Sequence, residues 1–284
     1  MSLQKYQAFL SAVDHGSISA AATALGYTQS AVSRMIADLE QEWAVQLLHR
    51  SRSGTTLTAE GIQLLPMIRS INAGCHALET TIRELHGLQT GMVRVGTFTT
   101  VAECWIPGLM RSFGEQYPHI SFKLVNYSSY KNIEEQIRRG KLDCGFVRLE
   151  AAADLDVHFL KQDQLAVVLP ENHPFAKTDV FPVAQLANES LIKLRNDYEI
   201  SHLLDGLPVR YEVSSDNTIL SMVESGLGIS VMHSLIAESN RHKVVWKPLD
   251  RTEKRDIAIA TAKDIRPSAA AALFVDHVCK ELHP

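Results

Sequence analysis

Gln29, Ser30, Ser33 and Arg34 fall on one face at helical spacing, and no apolar residue shares that face. These types read nucleic-acid surfaces: arginine pairs with guanine, glutamine with adenine, and serine with either or with the backbone. The run LLHRSRSGTTLT follows, with Arg50 and Arg52 near a Gly54 turn and Thr55 on the returning arm. A short wing of this kind sets two guanidinium groups over phosphates or the minor groove. Taken alone, an Arg-Ser-Arg turn reads as solvated loop; directly behind such a helix it reads as a wing.

The elements that position these groups are legible around them. Ser17 N-caps a helix to about Leu25, Gly26 supplies a turn in which a Cβ would strain the backbone, and Thr28 or Gln29 opens a second helix to about Trp43. Ala21, Leu25, Tyr27, Val32 and Met35 are expected inside, with small Ala22 where the helices cross. Two helices, a tight turn and a wing are the parts of a winged helix-turn-helix, whose second helix lies in the major groove of double-stranded DNA. The expected DNA-binding set is Thr28, Gln29, Ser30, Ser33, Arg34, Arg50, Arg52 and Thr55.

Leu64, Ile68, Ile71, Cys75, Leu78, Ile82 and Leu85 then recur every three or four residues, a heptad seam on a helix from about Ala59 to Leu88. Such a helix is on the order of 45 Å long, and the seam predicts dimerisation. Pro66 removes one of its backbone bonds, so a kink is expected in the first turns.

After Gly91, strands and helices alternate: MVRVGTF, a helix over 101–116, ISFKLVNY, a helix over 130–139, then LDCGFVRL. A long β segment over 156–170 leads to a second series: SLIKL, a helix near 196–205, VRYEV, a helix near 215–225, GISVM, another helix, VVWKPL, DIAIATA and a final helix over 268–282. Alternation implies parallel strands with crossovers, and ligands in such sheets sit at the carboxyl ends of strands. That rule nominates Thr99, Thr100, Ser128, Phe146 and Arg148 as ligand contacts, with Arg148 able to hold a carboxylate bidentately. Thr100-x-x-Glu103 is also a capping box, so Thr100 and likewise Ser128 have a purely structural alternative.

The stretch SISAAATALGYTQSAVSRMIADLE, followed by the wing, LTAEG and a long helix, resembles the LysR-type transcriptional regulators, and the likeness runs through the whole chain. It implies an α/β fold with an all-α N-terminal part: a winged helix-turn-helix over 1–58, a linker dimerisation helix over 59–90, and a two-lobed type II periplasmic-binding-protein-like effector domain over 91–284. Lobe one would comprise 92–161 plus 266–284, and lobe two 162–265. HPFA at 173–176 resembles a loop of that family, with a structural role. Two positions depart from its pattern. Ala44 stands where the family usually ends its recognition helix with glycine, costing about 1 kcal/mol in a left-handed cap, and His233 replaces a usual proline.

Composition narrows the function classes. The 284 residues carry a net charge of −4, and within 1–58 Lys5, Arg34, Arg50 and Arg52 cancel against Asp14, Asp38, Glu40 and Glu42, so affinity for DNA must come from several copies acting together. The resemblance implies a tetramer built as a dimer of dimers, and RNA polymerase as a partner where the protein activates. Cys75, Cys104, Cys144 and Cys279 are scattered with no C-x-x-C pair, so no metal site and no resident cofactor are expected. No apolar run spans a bilayer and Lys5 and Asp14 interrupt the start, which points to the cytoplasm with no membrane partner. A transport solute-binding protein would keep the two lobes but leave residues 1–88 without a purpose. An enzyme lacks any nucleophile elbow, P-loop or dinucleotide fingerprint here, so no catalytic residue is expected. The reading is a sequence-specific DNA-binding regulator controlled by a small-molecule effector, a small carboxylate or other anion, bound between the lobes.

Overall fold

A computed structural model describes residues 2–51, 54–85, 91–150, 154–195, 200–239, 241–263 and 267–282. The chain opens with α1 (Leu3–His15), which buries Tyr6, Ala8, Phe9, Leu10 and Ala12 along one face. α2 (Ile18–Leu25) starts where the Ser17 hydroxyl accepts the Ala20 N–H, and ends at Gly26 with φ 70°. α3 (Gln29–Trp43) starts where the Thr28 hydroxyl accepts the Ala31 N–H at 3.2 Å. It ends at Ala44 with φ 53°, the one non-glycine residue with positive φ among the described residues. β1 (Leu48–Ser51) and β2 (Gly54–Leu57) form an antiparallel hairpin, the wing.

Phe9, Val32, Ile36, Leu39, Leu47 and Leu48 close this domain's core. Tyr27, expected inside, is 46% exposed. It lies in the turn between α2 and α3, outside both helices, so neither helical face directs its ring inward. α4 (Ala59–Leu85) runs through Pro66. Its first turns belong to the same core: Ile68 is fully buried there, and Leu64 and Leu65 pack against it. The start of the expected intermolecular seam is therefore spent within the domain, because α4 must cover α1 before it leaves.

The larger half begins with β3 (Gly91–Thr97), followed by α5 (Thr99–Cys104), α6 (Ile106–Gln116), β4 (Ile120–Asn126), α7 (Tyr130–Arg138) and β5 (Cys144–Arg148). A single helix over 101–116 was the sequence expectation. It is broken at Trp105, and Pro107, which lacks an N–H to continue the ladder, sits in the first turn of α6. β3 is parallel to both β4 and β5, as crossover helices require.

β6 (Leu155–Pro170) crosses from one lobe to the other. Its first part pairs antiparallel with β11 (Lys254–Ala262) in lobe one, and Leu165 to Pro170 pair with the lobe-two strands β9 (Ser230–His233) and β10 (Val244–Pro248). Between these come β7 (Leu191–Leu194), α8 (Ser201–Leu204), β8 (Val209–Val213) and α9 (Asp216–Glu224), with β7 and β8 parallel. The helix expected near 196–205 is α8; residues 196–199 lie outside those described. The segment after β9 forms a 3₁₀ turn, Ser234–Glu238, in place of the α-helix expected there. α10 (Ala269–Leu282) returns to lobe one, where Phe274 meets Phe113 edge to face with ring centroids 5.4 Å apart. HPFA is a 3₁₀ turn in which the His173 Nδ1 accepts the Phe175 N–H.

Candidate nucleic-acid interface and ligand cleft

α3 presents Gln29, Ser30 and Arg34 to solvent, while Val32, Ile36 and Leu39 point into the core. Thr28 is occupied with the helix N-terminus, and its hydroxyl lies 3.0 Å from that of Ser30. Arg50 and Ser33 meet each other: the Arg50 Nη1 donates to the Ser33 hydroxyl at 2.8 Å, and its Nη2 donates to Glu40 at 3.3 Å. Glu40 also accepts the N–H groups of Leu47 and Leu48 at 2.8 and 3.1 Å. One carboxylate thus ties the strand entering the wing to α3. Sequence reasoning counted Glu40 in the charge balance and missed this; the signal was a carboxylate one turn before the helix end. Thr55 is an anchor as well, its hydroxyl donating to the Ala12 carbonyl and its N–H to that of Gly16. Arg52 lies outside the described residues.

Along α4, Ile71, Leu78 and Ile82 are 43–60% exposed and Cys75 is half-buried. The side chain of Leu85 lies outside those described. Ile62 and Met67 are exposed too, each 61%. Burying such side chains against a second helix gains roughly 25 cal/mol per Å² of apolar surface, and among the described side chains Ile71, Leu78 and Ile82 offer such a surface on α4.

A cavity of about 430 Å³ lies between the lobes. Lobe one contributes Phe98, Thr99, Thr100, Tyr127, Ser128, Ser129 and Tyr130, the strand-to-helix turns after β3 and β4. Lobe two contributes an apolar wall of Leu194, Ile200, Ile219, Val231, Met232 and Ile236, with Arg195, Ser214 and Asp216 at its margin. Thr99 accepts a hydrogen bond from Asn126 at 3.2 Å, and Thr100 is buried. Phe146 and Arg148 are not among the lining residues. Phe146 is fully buried in the core near Trp105, with ring centroids 6.3 Å apart, and Arg148 pairs with Glu150 at 3.5 Å. The physical reason is pleating: two residues apart on β5, both side chains project to the same face, the one that carries Trp105.

Two guanidinium groups line the cleft: Arg195, exposed and paired with Glu212, and Arg255, which is buried and comes from β11. The Arg255 Nε and Nη2 donate to the Asp163 carboxylate at 3.0 and 2.7 Å, and its Nη1 donates to the Tyr130 hydroxyl at 2.8 Å. The guanidinium also lies over the Phe98 ring, 5.0 Å from its centroid. Both partners of the pair are 5% exposed or less. Asp163 accepts further bonds from the Ser234 hydroxyl and the Leu235 N–H, and the His233 Nδ1 stands 3.5 Å from it. The sequence signal for Arg255 is faint, a charged residue just ahead of the apolar run DIAIATA.

A winged helix-turn-helix joined by one long helix to two α/β lobes around a cleft defines, as a class, a ligand-responsive DNA-binding regulator. Residues 3–62 match the family described as bacterial regulatory helix-turn-helix protein, lysR family, and residues 86–282 match the LysR substrate binding domain. The chain belongs to the LysR family of transcriptional regulators, and it is a regulator, not an enzyme. It is 30% identical to the uncharacterised HTH-type transcriptional regulator YvbU of Bacillus subtilis, covering 99% of both chains. It is 31% identical to the probable HTH-type transcriptional regulator LrrA of Synechococcus elongatus over 84% of this chain and 82% of that one. Its fold matches a full-length OxyR variant of Pseudomonas aeruginosa with a TM-score of 0.75 at 22% identity, covering 98% and 95% of the two chains. It also matches CbnR, solved in complex with its target DNA, with a TM-score of 0.56 at 22% identity, covering 99% and 100%. Among the described residues no helix is long and apolar enough to cross a membrane, and no cluster of histidine, cysteine and carboxylate side chains is suited to a metal ion.

Proposed function

We propose that this regulator responds to a small carboxylate or comparable anion with an apolar body, held in the cleft between its lobes. The observation that carries the reading is the two-sided lining of the cavity: hydroxyls of Thr99, Thr100, Ser128 and Ser129 with the guanidinium of Arg255 on one side, and aliphatic side chains on the other. The hydroxyl donors favour an anionic head, the Arg255 charge being already matched by Asp163, and the aliphatic wall gains by covering an apolar one. A ligand biases DNA binding only through different affinities for two lobe arrangements, and the shared strands β6 and β11 are where the lobes turn. Coupling of this kind typically changes operator affinity by roughly 5- to 150-fold.

The same reading has Gln29, Ser30 and Arg34 contact base edges or phosphates, and pairs copies of the chain through the exposed face of α4. Native mass spectrometry of the purified protein, followed by calorimetry with the retained acid, tests the cleft. Thr100→Val/Ser128→Ala is expected to lose at least tenfold in affinity while Arg148→Ala binds as the parent does. Equal affinity for all three would place the ligand elsewhere.

A further inference from the structure

Asp14 lies in the last turn of α1, where the helix dipole disfavours a carboxylate. Its side chain is nevertheless only 12% exposed, because cations from two other parts of the chain surround it. Arg69 of α4 approaches to 3.4 Å, and from lobe one Lys141 reaches 2.7 Å and Arg139 reaches 3.8 Å. Glu135 balances the extra positive charge, 2.7 Å from Arg139 and 4.0 Å from Arg69. Burial and the nearby Arg139 hold the Arg69 guanidinium below its ordinary pKa. Between the two arginine-bearing segments, Gly140 has φ 65°, and a Cβ added there would come within 3.2 Å of the Ala73 Cβ on α4. Charge and close backbone approach converge on one contact.

The helix that carries this contact also reaches the cleft. α7 starts at Ser129 and Tyr130, which line the cavity, with Tyr130 bonded to Arg255. It ends at the turn that bears Arg139 and Lys141. Nine residues make it about 13 Å long. It is seated firmly: Ile133 and Ile137 are fully buried, and a Cβ on Gly96 or Gly145 would meet Ile133 at 2.9 Å or closer. A helix locked to its sheet moves as one body, so a displacement at one end appears at the other.

We propose that Asp14 latches the DNA-binding domain to lobe one of the same chain, and that α7 links the latch to the cleft. The link to the cleft rests on the cleft being the effector site; the latch itself does not. Full-length Ala73→Cys/Gly140→Cys on a Cys75→Ser background under mild oxidation reports docking, because the 3.2 Å Cβ separation is only a few tenths of an ångström inside that of a disulfide. We expect the cross-link to form within one chain, without a disulfide-linked dimer on a non-reducing gel. Adding Asp14→Asn, or Lys141→Gln as the more exposed alternative, is expected to slow it at least fivefold, as is 1 M salt, with the far-UV circular dichroism unchanged. Adding Ser129→Trp, which inserts an indole at the cleft end of α7, is expected to change the rate at least threefold. Absence of the cross-link, its formation between chains, or indifference to both latch substitutions overturns the latch. Indifference to Ser129→Trp overturns the link through α7. No arm uses an effector or an operator, so failure of the small-anion reading is scored separately by calorimetry.

Discussion

Replacing Arg255 with methionine isolates a carboxylate that the fold has removed from water. At 2.7 Å, unit charges attract by about 6 kcal/mol at an effective dielectric constant of ~20. Dehydrating the two ions costs several kcal/mol each, so the intact pair contributes little net stability. Removing one ion does not return the other to solvent, and Arg255→Met should cost about 3 to 5 kcal/mol. Asp163 keeps the Ser234 hydroxyl and the Leu235 N–H as donors, which favours the lower end. Asp163→Asn on top of Arg255→Met removes the stranded charge while keeping an acceptor for those donors, and should recover about 1 to 3 kcal/mol. The double variant stays below the parent by about 1 to 2 kcal/mol, for the lost Tyr130 bond and the Phe98 contact. Urea melts of the full-length protein followed by circular dichroism give both numbers. A loss under 1 kcal/mol for Arg255→Met, or a deeper loss when Asp163→Asn is added, would refute this account of the buried pair.

Arg34→Ala should lower operator affinity and, where Arg34 reads guanine, lose about 1 to 3 kcal/mol of discrimination at that base pair; fluorescence anisotropy on selected and scrambled duplexes measures it, and unchanged binding would remove Arg34 from the reading face. Leu78→Glu puts an unpaired carboxylate into the proposed seam, costing several kcal/mol, so sedimentation velocity should show dissociation with the helix-turn-helix intact; an unchanged oligomer would locate the interface elsewhere. Ala44→Gly relieves a left-handed alanine and should stabilise the DNA-binding domain by about 1 kcal/mol, raising its melting temperature by about 4 to 8 °C. No shift, or a fall, would mean that added freedom in the unfolded chain outweighs the relieved strain.

Local grammar carried most of the fold. Ser17 and Thr28 are caps whose hydroxyls accept the expected helix N–H groups, Gly26 takes the left-handed turn, and Ala44 is left-handed where sequence reasoning placed a cost. The misses share a cause. The break at Trp105, the outward Tyr27 and the burial of Ile68 depend on what lies across from each residue in the finished structure, which a periodic pattern along one chain does not specify. Heptad spacing in α4 satisfied two masters, the domain's own core at Ile68 and an open face at Leu78 and Ile82.

Polar groups at the candidate sites were harder to read for a different reason: their partners are remote in sequence. Ser128 and Thr100 could be placed by the rule that ligands gather at strand ends, and both line the cavity. The same rule nominated Arg148 without knowing which face of β5 it would take. Arg255 could not be nominated, because what gives it a role is Asp163, 92 residues earlier, opposite it on β6. Arg50 illustrates the point within a smaller domain. Its type and place suit a phosphate contact, yet it is engaged with Ser33 and Glu40, 17 and 10 residues earlier. Any phosphate that recruits Arg50 must first compete with Glu40, and the carboxylate so released is the one that holds the Leu47 and Leu48 N–H groups at the entry to the wing. A phosphate contact at Arg50 would therefore be coupled to the internal order of the DNA-binding domain through Glu40.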